Sequence, residues 1–259
     1  MQNLKVAAIQ ADLVWENKKE NLLLFDKKIA TLSNQNVDLI VLPEMFQTGF
    51  TMNAVDMAET MSGPTTEWMK NTAYKLNSAV MGSFIVKENN QHFNRMVFCS
   101  KKAEIAYYDK RHLFAMAKED KVFTAGQKNI IVEINGWRIA PFVCYDLRFP
   151  VWMRNYNNYD LAVVIANWPV KRIYHWDNLL ISRAIENQSY VIGVNRVGLD
   201  GSGYHYPGHS CIINAAGAVI NKDMNDEAIM IETLDLLSLK TIRKRLPFLK
   251  DKDSYNVNL

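Results

Sequence analysis

What the chain has little of narrows its chemistry first. It holds only three cysteines in 259 residues, Cys99, Cys144 and Cys211, widely spaced and odd in number. With no Cys-x-x-Cys pair and no cysteine–histidine ligand spacing, neither a disulfide framework nor a zinc site is expected, and a reducing, cytoplasmic location is. No run reaches the ~18 apolar residues that cross a bilayer, and the apolar stretch at 6–9 is too short for a secretion signal, so no membrane partner is expected. Charge of one sign is also lacking: 30 basic residues stand against 27 acidic ones, a net charge of +3. Nucleic acid would call for a concentrated basic face. The one basic cluster, Lys240, Arg243, Lys244 and Arg245, is interleaved with Leu236, Leu239 and Ile242 and reads as the wet side of a late helix. No linker, repeat or low-complexity tract breaks the chain, which predicts one domain over 1–259 with a polar tail from about residue 248.

What is present is an ordinary globular composition, 49% hydrophobic and 22% charged. Apolar runs at 4–10 and 37–44 read as strands buried on both faces, separated by a helical spacing of Leu22, Phe25, Ile29 and Leu32. Residues 45–63 read as a long loop, 65–76 as a helix, and 79–86, 95–100 and 105–108 as strands. The stretch from 115 to 129 has no periodicity, which in a compact fold points to lining or covering a site. Asn135-Gly136 joins strands at 130–134 and 137–143, because both turn positions of such a hairpin need positive φ. A short helix near 151–156, a strand at 160–166, a helix at 174–187 and strands at 190–194, 211–213, 218–221 and 229–232 complete an α/β protein with covered sheets. The glycine-rich stretch 198–208 is followed by no helix start and reads as a surface loop.

Three ionisable residues stand at or just past strand ends: Glu44, Lys110 and Cys144. Such ends are where α/β folds keep their chemistry. A thiol is a good nucleophile that needs deprotonation, a carboxylate can take that proton, and a lysine can stabilise charge growing on a substrate oxygen. Together they form an acyl-transfer kit without histidine. On residue type alone Cys144 could instead be a packed core thiol, as Cys99 and Cys211 are expected to be, and His112 offers a competing base.

The motifs Leu-Pro-Glu at 42–44, Asp-Lys-Arg-His-Leu-Phe at 109–114 and Val-Cys-Tyr-Asp-Leu-Arg-Phe-Pro at 143–150 follow one another in the order of the nitrilase superfamily, the carbon–nitrogen hydrolases. The chain resembles that family nearly end to end. The resemblance implies a four-layer αββα sandwich, a homodimer and no cofactor or metal. It implies Cys144 as nucleophile, Glu44 as general base, Lys110 as electrostatic partner, and Glu119, beside Asp120, as a second glutamate. The backbone N–H of Tyr145 would complete an oxyanion hole. Ala-Asn-Trp-Pro at 166–169, Arg-Ala-Ile-Glu-Asn-Gln at 183–188 and Asn-Arg-Val-Gly at 195–198 are similar to the omega-amidase branch, which hydrolyses the terminal amide of 2-oxoglutaramate and 2-oxosuccinamate. Amidases of deaminated glutathione or N-carbamoyl compounds, or a non-catalytic binding module, are the alternatives. Arg148 could bind the far carboxylate of such a 2-oxo acid amide or brace Glu186. Trp168 could wall the pocket or pack in the core, and Phe46 and Phe114, each near a triad member, are further pocket candidates.

Overall fold

Strand β1 (Leu4–Gln10) divides its side chains between two cores. Leu4, Val6 and Ala8 enter one apolar interior, while Ala7 and Ile9 enter another. This is the two-residue period of an extended chain. A strand apolar on both faces must be covered on both. The computed structural model, which describes residues 3–254, shows what covers them. On the outer face lies α1 (Lys18–Ala30), through Phe25 and Ile29, begun by the Asn17 side chain accepting the Glu20 N–H.

Strand β2 (Leu39–Val41) repeats the division, with Leu39 and Val41 inward and Ile40 outward. After the short α2 (Ala54–Met57), helix α3 (Pro64–Leu76) covers the same outer face with Met69 and Ala73. It starts on Pro64 and stops where Asn77 turns left-handed at φ 51°. β3 (Ala79–Glu88), β4 (Gln91–Cys99) and β5 (Ile105–Asp109) follow as an antiparallel meander.

The second half opens with α4 (Glu119–Val122) and a hairpin of β6 (Val132–Ile134) and β7 (Trp137–Val143). Asn135 and Gly136 have φ of 51° and 82°, the backbone that the sequence pair predicts. Then come α5 (Pro150–Met153), β8 (Leu161–Ala166), α6 (Ile173–Asn187), β9 (Tyr190–Asn195), β10 (Val197–Leu199), β11 (His205–Ile213), β12 (Val219–Met224), β13 (Ala228–Leu234) and α7 (Leu236–Arg245).

The first sheet has six strands in the order β13-β1-β2-β3-β4-β5; the second has seven, in the order β10-β11-β9-β8-β7-β6 with β12 beside β11. Each is parallel at its centre, β1-β2-β3 and β7-β8-β9. Val6, Met81 and Met96 of the first sheet share one interior with Phe142 and Val164 of the second. Trp176 and Leu180 of α6 and Leu239 of α7 join it from the far side. The order is helix, sheet, sheet, helix: the four-layer αββα sandwich. Lys240, Lys244 and Arg245 lie on the exposed side of α7, as expected; Arg243 does not, being half-buried with Nη1 donating to Asp160 Oδ1 at 2.7 Å and Nε to the Gln188 carbonyl at 2.8 Å.

Several elements differ from expectation. The strand expected over 37–44 pairs only from Leu39 to Val41, because Pro43 offers no N–H to a neighbour. β4 begins at Gln91, since the polar Asn94 and Arg95 that mask its pattern are buried with hydrogen-bond partners. The helix expected at 151–156 is a single turn, α5. The glycine-rich stretch 198–208 is not a plain surface loop: its two ends pair as the β10–β11 hairpin. The expected polar tail touches the body at Lys252, whose Nζ donates to the Asn155 carbonyl at 3.0 Å, and at Asp253, whose carbonyl accepts the Tyr156 hydroxyl. Its last residues, 255–259, fall outside the described residues.

Candidate active site

Cys144 follows β7 directly and opens a tight turn, Cys144–Arg148, with its own φ at 48°. The left-handed region costs an L-residue roughly 1–2 kcal/mol, so something must hold it there. Asp146 does. Its Oδ2 accepts the Val143 N–H at 3.0 Å and the Tyr108 hydroxyl at 2.7 Å. Its Oδ1 accepts the His112 N–H at 2.9 Å and meets the His112 ring Nδ1 at 2.8 Å. The imidazole lies flat on Phe149, 3.6 Å between centroids and 5° between planes. His112 therefore braces the turn through Asp146, which answers the competing-base reading of this histidine.

Glu44 comes from the end of β2. The residue after it, Met45, has φ 46° and is pinned by its N–H to Ser83 Oγ at 2.9 Å. The Glu44 carboxylate is enclosed by four donors. Oε1 accepts from Asn94 Nδ2 at 2.8 Å and Lys110 Nζ at 2.9 Å. Oε2 accepts from the Asn167 N–H at 2.8 Å and from Asn167 Nδ2 at 3.3 Å.

Lys110, just past β5, is held by its N–H to the Asn94 carbonyl at 3.0 Å and its carbonyl to the Gly126 N–H at 2.9 Å. Gly126 is needed there: a Cβ would stand 2.0 Å from the Asp109 carbonyl oxygen. Lys110 Nζ also reaches Glu119 Oε1 and Oε2 at 3.0 and 2.9 Å. Glu119, at the start of α4, takes the Phe114 N–H at 2.6 Å as well. The Glu44, Lys110 and Glu119 side chains are all fully buried.

Burial sets the protonation of this group. It pushes the Cys144 thiol well above its ordinary range, and the Glu44 charge, with a hydrogen bond to that carboxylate, pushes the same way against Lys110. Burial alone would pull the Lys110 ammonium down, but Glu119 and Glu44 hold it above its usual value. The Glu119 carboxyl is pushed up by burial and pulled back by Lys110. The resting site thus holds a neutral thiol, a charged lysine and buried carboxyls around it.

Cys144 stands at a cavity of about 620 Å³. Tyr145, Arg148, Trp168 and Phe114 line it, as expected of pocket residues. Phe46 does not: it is fully buried among Phe25, Phe84 and Trp68, 5.5 Å from the Phe25 ring, because its side chain points to the helix side of the first sheet. Trp168 serves both expected purposes, packing near Trp176 while forming wall. Arg148 does not brace Glu186, which pairs with Arg183 at 2.9 Å. Its guanidinium lies 4.8 Å over the Trp168 ring and meets His175 Nδ1 at 3.1 Å. Arg172 lies 5.1 Å over the Phe114 ring on the same cavity. Among the described residues neither arginine has a carboxylate partner. Cys99 and Cys211 are buried in the core.

The loop expected at 45–63 and the β10–β11 hairpin supply further wall, through Phe50, Asn53, Asp200 and Tyr206, and Trp15, Glu16, Met116 and Ala117 complete it. Sequence reasoning left out Asn94, Asn167, Arg172 and this hairpin tip. Asn94 had little signal, since it stands beside Arg95 at the head of the apolar run 96–99. Arg172 had none, since a lysine–arginine pair before a helix is ordinarily solvated. No group of three histidine, cysteine, aspartate or glutamate side chains among the described residues is placed to hold a metal, and no described helix is long and apolar enough to cross a membrane.

A thiol at the cavity, with a buried carboxylate and a buried ammonium acting on it, is what these strand ends bring together. The chain belongs to the carbon–nitrogen hydrolase family, whose model matches residues 5–244. It is 42% identical to the omega-amidase YafV of Escherichia coli K12, over 99% of this chain and all of that one. It is 32% identical to the 2-oxoglutaramate amidase of Bacillus subtilis, over 96% of this chain and 98% of the relative. Among solved structures, it superposes on XC1258 of Xanthomonas campestris, a CN-hydrolase superfamily protein with an arsenic adduct in its active site, at a TM-score of 0.97 with 38% identity and complete coverage of both chains.

Proposed function

We propose that this protein is an omega-amidase, hydrolysing the terminal amide of 2-oxoglutaramate or 2-oxosuccinamate to the 2-oxo dicarboxylate and ammonia. One observation carries the reading: the cavity that exposes Cys144 also holds Arg148, a cation with no carboxylate of its own, on the same short turn. A substrate with an amide at one end and a carboxylate at the other would give the first to the nucleophile and the second to the cation. The omega-amidase and 2-oxoglutaramate amidase relatives support it.

Cys144 is the nucleophile. Its Sγ bonds to the amide carbon as its proton passes to Glu44, and the carbonyl electron pair moves onto oxygen. Proton transfer accompanies attack, because burial disfavours a free thiolate. Lys110 Nζ and the Tyr145 N–H receive the oxyanion, each such donor being worth about 3–4 kcal/mol. Glu44 returns the proton to nitrogen, the C–N bond breaks, and ammonia leaves a thioester. Water then attacks that thioester, giving its proton to Glu44, and the C–S bond breaks as Cys144 is reprotonated. Glu119 positions Lys110 and balances its charge. Phe114 and Trp168 wall the pocket. The working protein is a cytoplasmic homodimer of a single hydrolase domain spanning 1–259, needing no cofactor and no nucleic-acid partner.

The test is ammonia release from 2-oxoglutaramate, 2-oxosuccinamate, glutamine, deaminated glutathione and an N-carbamoyl amino acid, with Cys144→Ala alongside. Rapid turnover of the oxo-amides, abolished in the variant, is expected. Turnover of deaminated glutathione or the N-carbamoyl compound in their place would move the protein to another amidase group. Wild-type rates in Cys144→Ala would remove the thioester mechanism.

A further inference from the structure

We propose that Arg172 is a specificity-determining residue of the same pocket: with Arg148 it forms a two-arginine clamp that accepts a 2-oxo carboxylate and rejects a 2-ammonium group. The inference rests on the omega-amidase reading and deepens it.

The two guanidinium groups arrive from different elements. Arg148 ends the nucleophile turn, and Arg172 ends the turn Val170–Arg172 that leads into α6. Each lies on one aromatic ring, Arg148 on Trp168 and Arg172 on Phe114. The support of Arg148 is tied to Arg172 itself, since the Arg172 carbonyl accepts the Trp168 indole N–H at 2.8 Å. Both cations line one cavity and neither is ion-paired among the described residues; the carboxylates that also line it, Glu16 and Asp200, accept from Thr51 and Asn53 and from the β10–β11 hairpin tip. Burial, and after it the charge of Arg172, pull the Arg148 guanidinium below its usual value. Two cations gathered at an aromatic wall repel each other until an anion sits between them.

One arginine suffices for one carboxylate, through two parallel N–H···O bonds. A second finds use where a further acceptor stands beside that carboxylate. In a 2-oxo acid the C2 oxygen does so, coplanar with the carboxylate. In the matching amino acid, C2 carries an ammonium, which offers three donors and a like charge to Arg172. The clamp thus attracts one substrate and repels its nearest competitor, the two halves of specificity. Glutamine and 2-oxoglutaramate share the scissile amide and differ only at this carbon.

The test compares wild type, Arg172→Gln and Arg172→Lys by kcat and KM on three amides: 2-oxoglutaramate, glutamine, and glutaramate, which has no C2 substituent. Losing a charge-assisted hydrogen bond costs roughly 10- to 100-fold. We expect Arg172→Gln to lose that factor in kcat/KM on 2-oxoglutaramate, mainly through KM. The preference for 2-oxoglutaramate over both other amides should shrink accordingly, and Arg172→Lys should restore part of it. In parallel, the Cys144→Ala protein should bind 2-oxoglutarate more tightly than glutarate, and adding Arg172→Gln should narrow that difference; this binding readout does not depend on turnover. Preference ratios within twofold of wild type in Arg172→Gln would overturn the clamp while leaving the omega-amidase reading intact. A wild-type protein inactive on every oxo-amide would overturn that reading and the clamp with it.

Discussion

Replacing Asp146 by asparagine turns one of two fully used acceptor oxygens into a donor, and the cost can be worked out oxygen by oxygen. Placed where Oδ2 stands, the new NH₂ faces the Val143 N–H, now 3.0 Å away, and the Tyr108 hydroxyl, now at 2.7 Å. The hydroxyl cannot resolve the conflict fully, because it already accepts the Trp152 indole N–H at 2.8 Å. Placed where Oδ1 stands, the NH₂ faces the His112 ring, which can change tautomer, and the His112 backbone N–H at 2.9 Å, which cannot. Either setting orphans one backbone N–H beside a fully buried side chain. An orphaned buried donor costs about 1–3 kcal/mol, and the surviving bonds lose their ionic acceptor, so we expect a loss of roughly 2–4 kcal/mol in stability. The turn also holds Cys144 at φ 48°. Loosening it misplaces the nucleophile, and kcat should fall about 100-fold while KM changes little. Urea unfolding, steady-state kinetics and the rate of Cys144 alkylation measure the three effects. Stability within about 0.5 kcal/mol of wild type, the range of a surface substitution, together with kcat within twofold, would refute the clamping argument.

Three other outcomes follow from the geometry. Glu119→Gln keeps an acceptor for the Phe114 N–H but takes fewer Lys110 protons, so kcat should drop at least roughly tenfold through a misplaced oxyanion donor; an unchanged kcat would make Glu119 a bystander. Gly126→Ala drives a Cβ to 2.0 Å from the Asp109 carbonyl oxygen, and backbone has to move next to Lys110; about 3 kcal/mol or more of stability should be lost, and an unshifted thermal melt would contradict that. Alkaline pH should destabilise the fold, because burial pushes Cys99 up to about 11 and Cys211 up to about 12 from an ordinary 9.0. The folded chain keeps protons that the unfolded chain has lost, so this stability is complete below pH 9.0 and declines as pH rises toward 11 and then 12. Each thiol adds at most about 1.4 kcal/mol per pH unit to the decline, and the double variant Cys99→Ala, Cys211→Ala should flatten it in denaturant melts.

Much of this was legible along the chain because its signals are local. The hairpin at Asn135-Gly136 follows from the φ values those two residues tolerate, and the helices at 18–30, 64–76 and 173–187 follow from apolar spacing. Glu44, Lys110 and Cys144 were visible as ionisable residues at the ends of apolar runs. Phe46 was misjudged for a physical reason: being next but one to Glu44 puts it on the same face of an extended chain only if the chain stays extended. Met45 turns left-handed at φ 46°, and Phe46 swings into the helix-side core.

Local signals along the chain placed most of the elements, the points where the reactive groups leave them and the family that the motifs resemble, though not the short α2 or the β10–β11 hairpin. Those facts depend on periods of two and 3.6 residues and on the backbone preferences of asparagine, glycine and proline. Tertiary structure alone decided that Asn94 and Asn167 close around Glu44, that His112 serves Asp146, and that Arg172 faces the cavity of Arg148. These partners lie far apart along the chain, 123 residues in the case of Asn167 and Glu44. A side chain's hydrogen-bond partner and its burial are properties of the closed sandwich, in which two sheets bring distant strand ends together, and no local pattern encodes them.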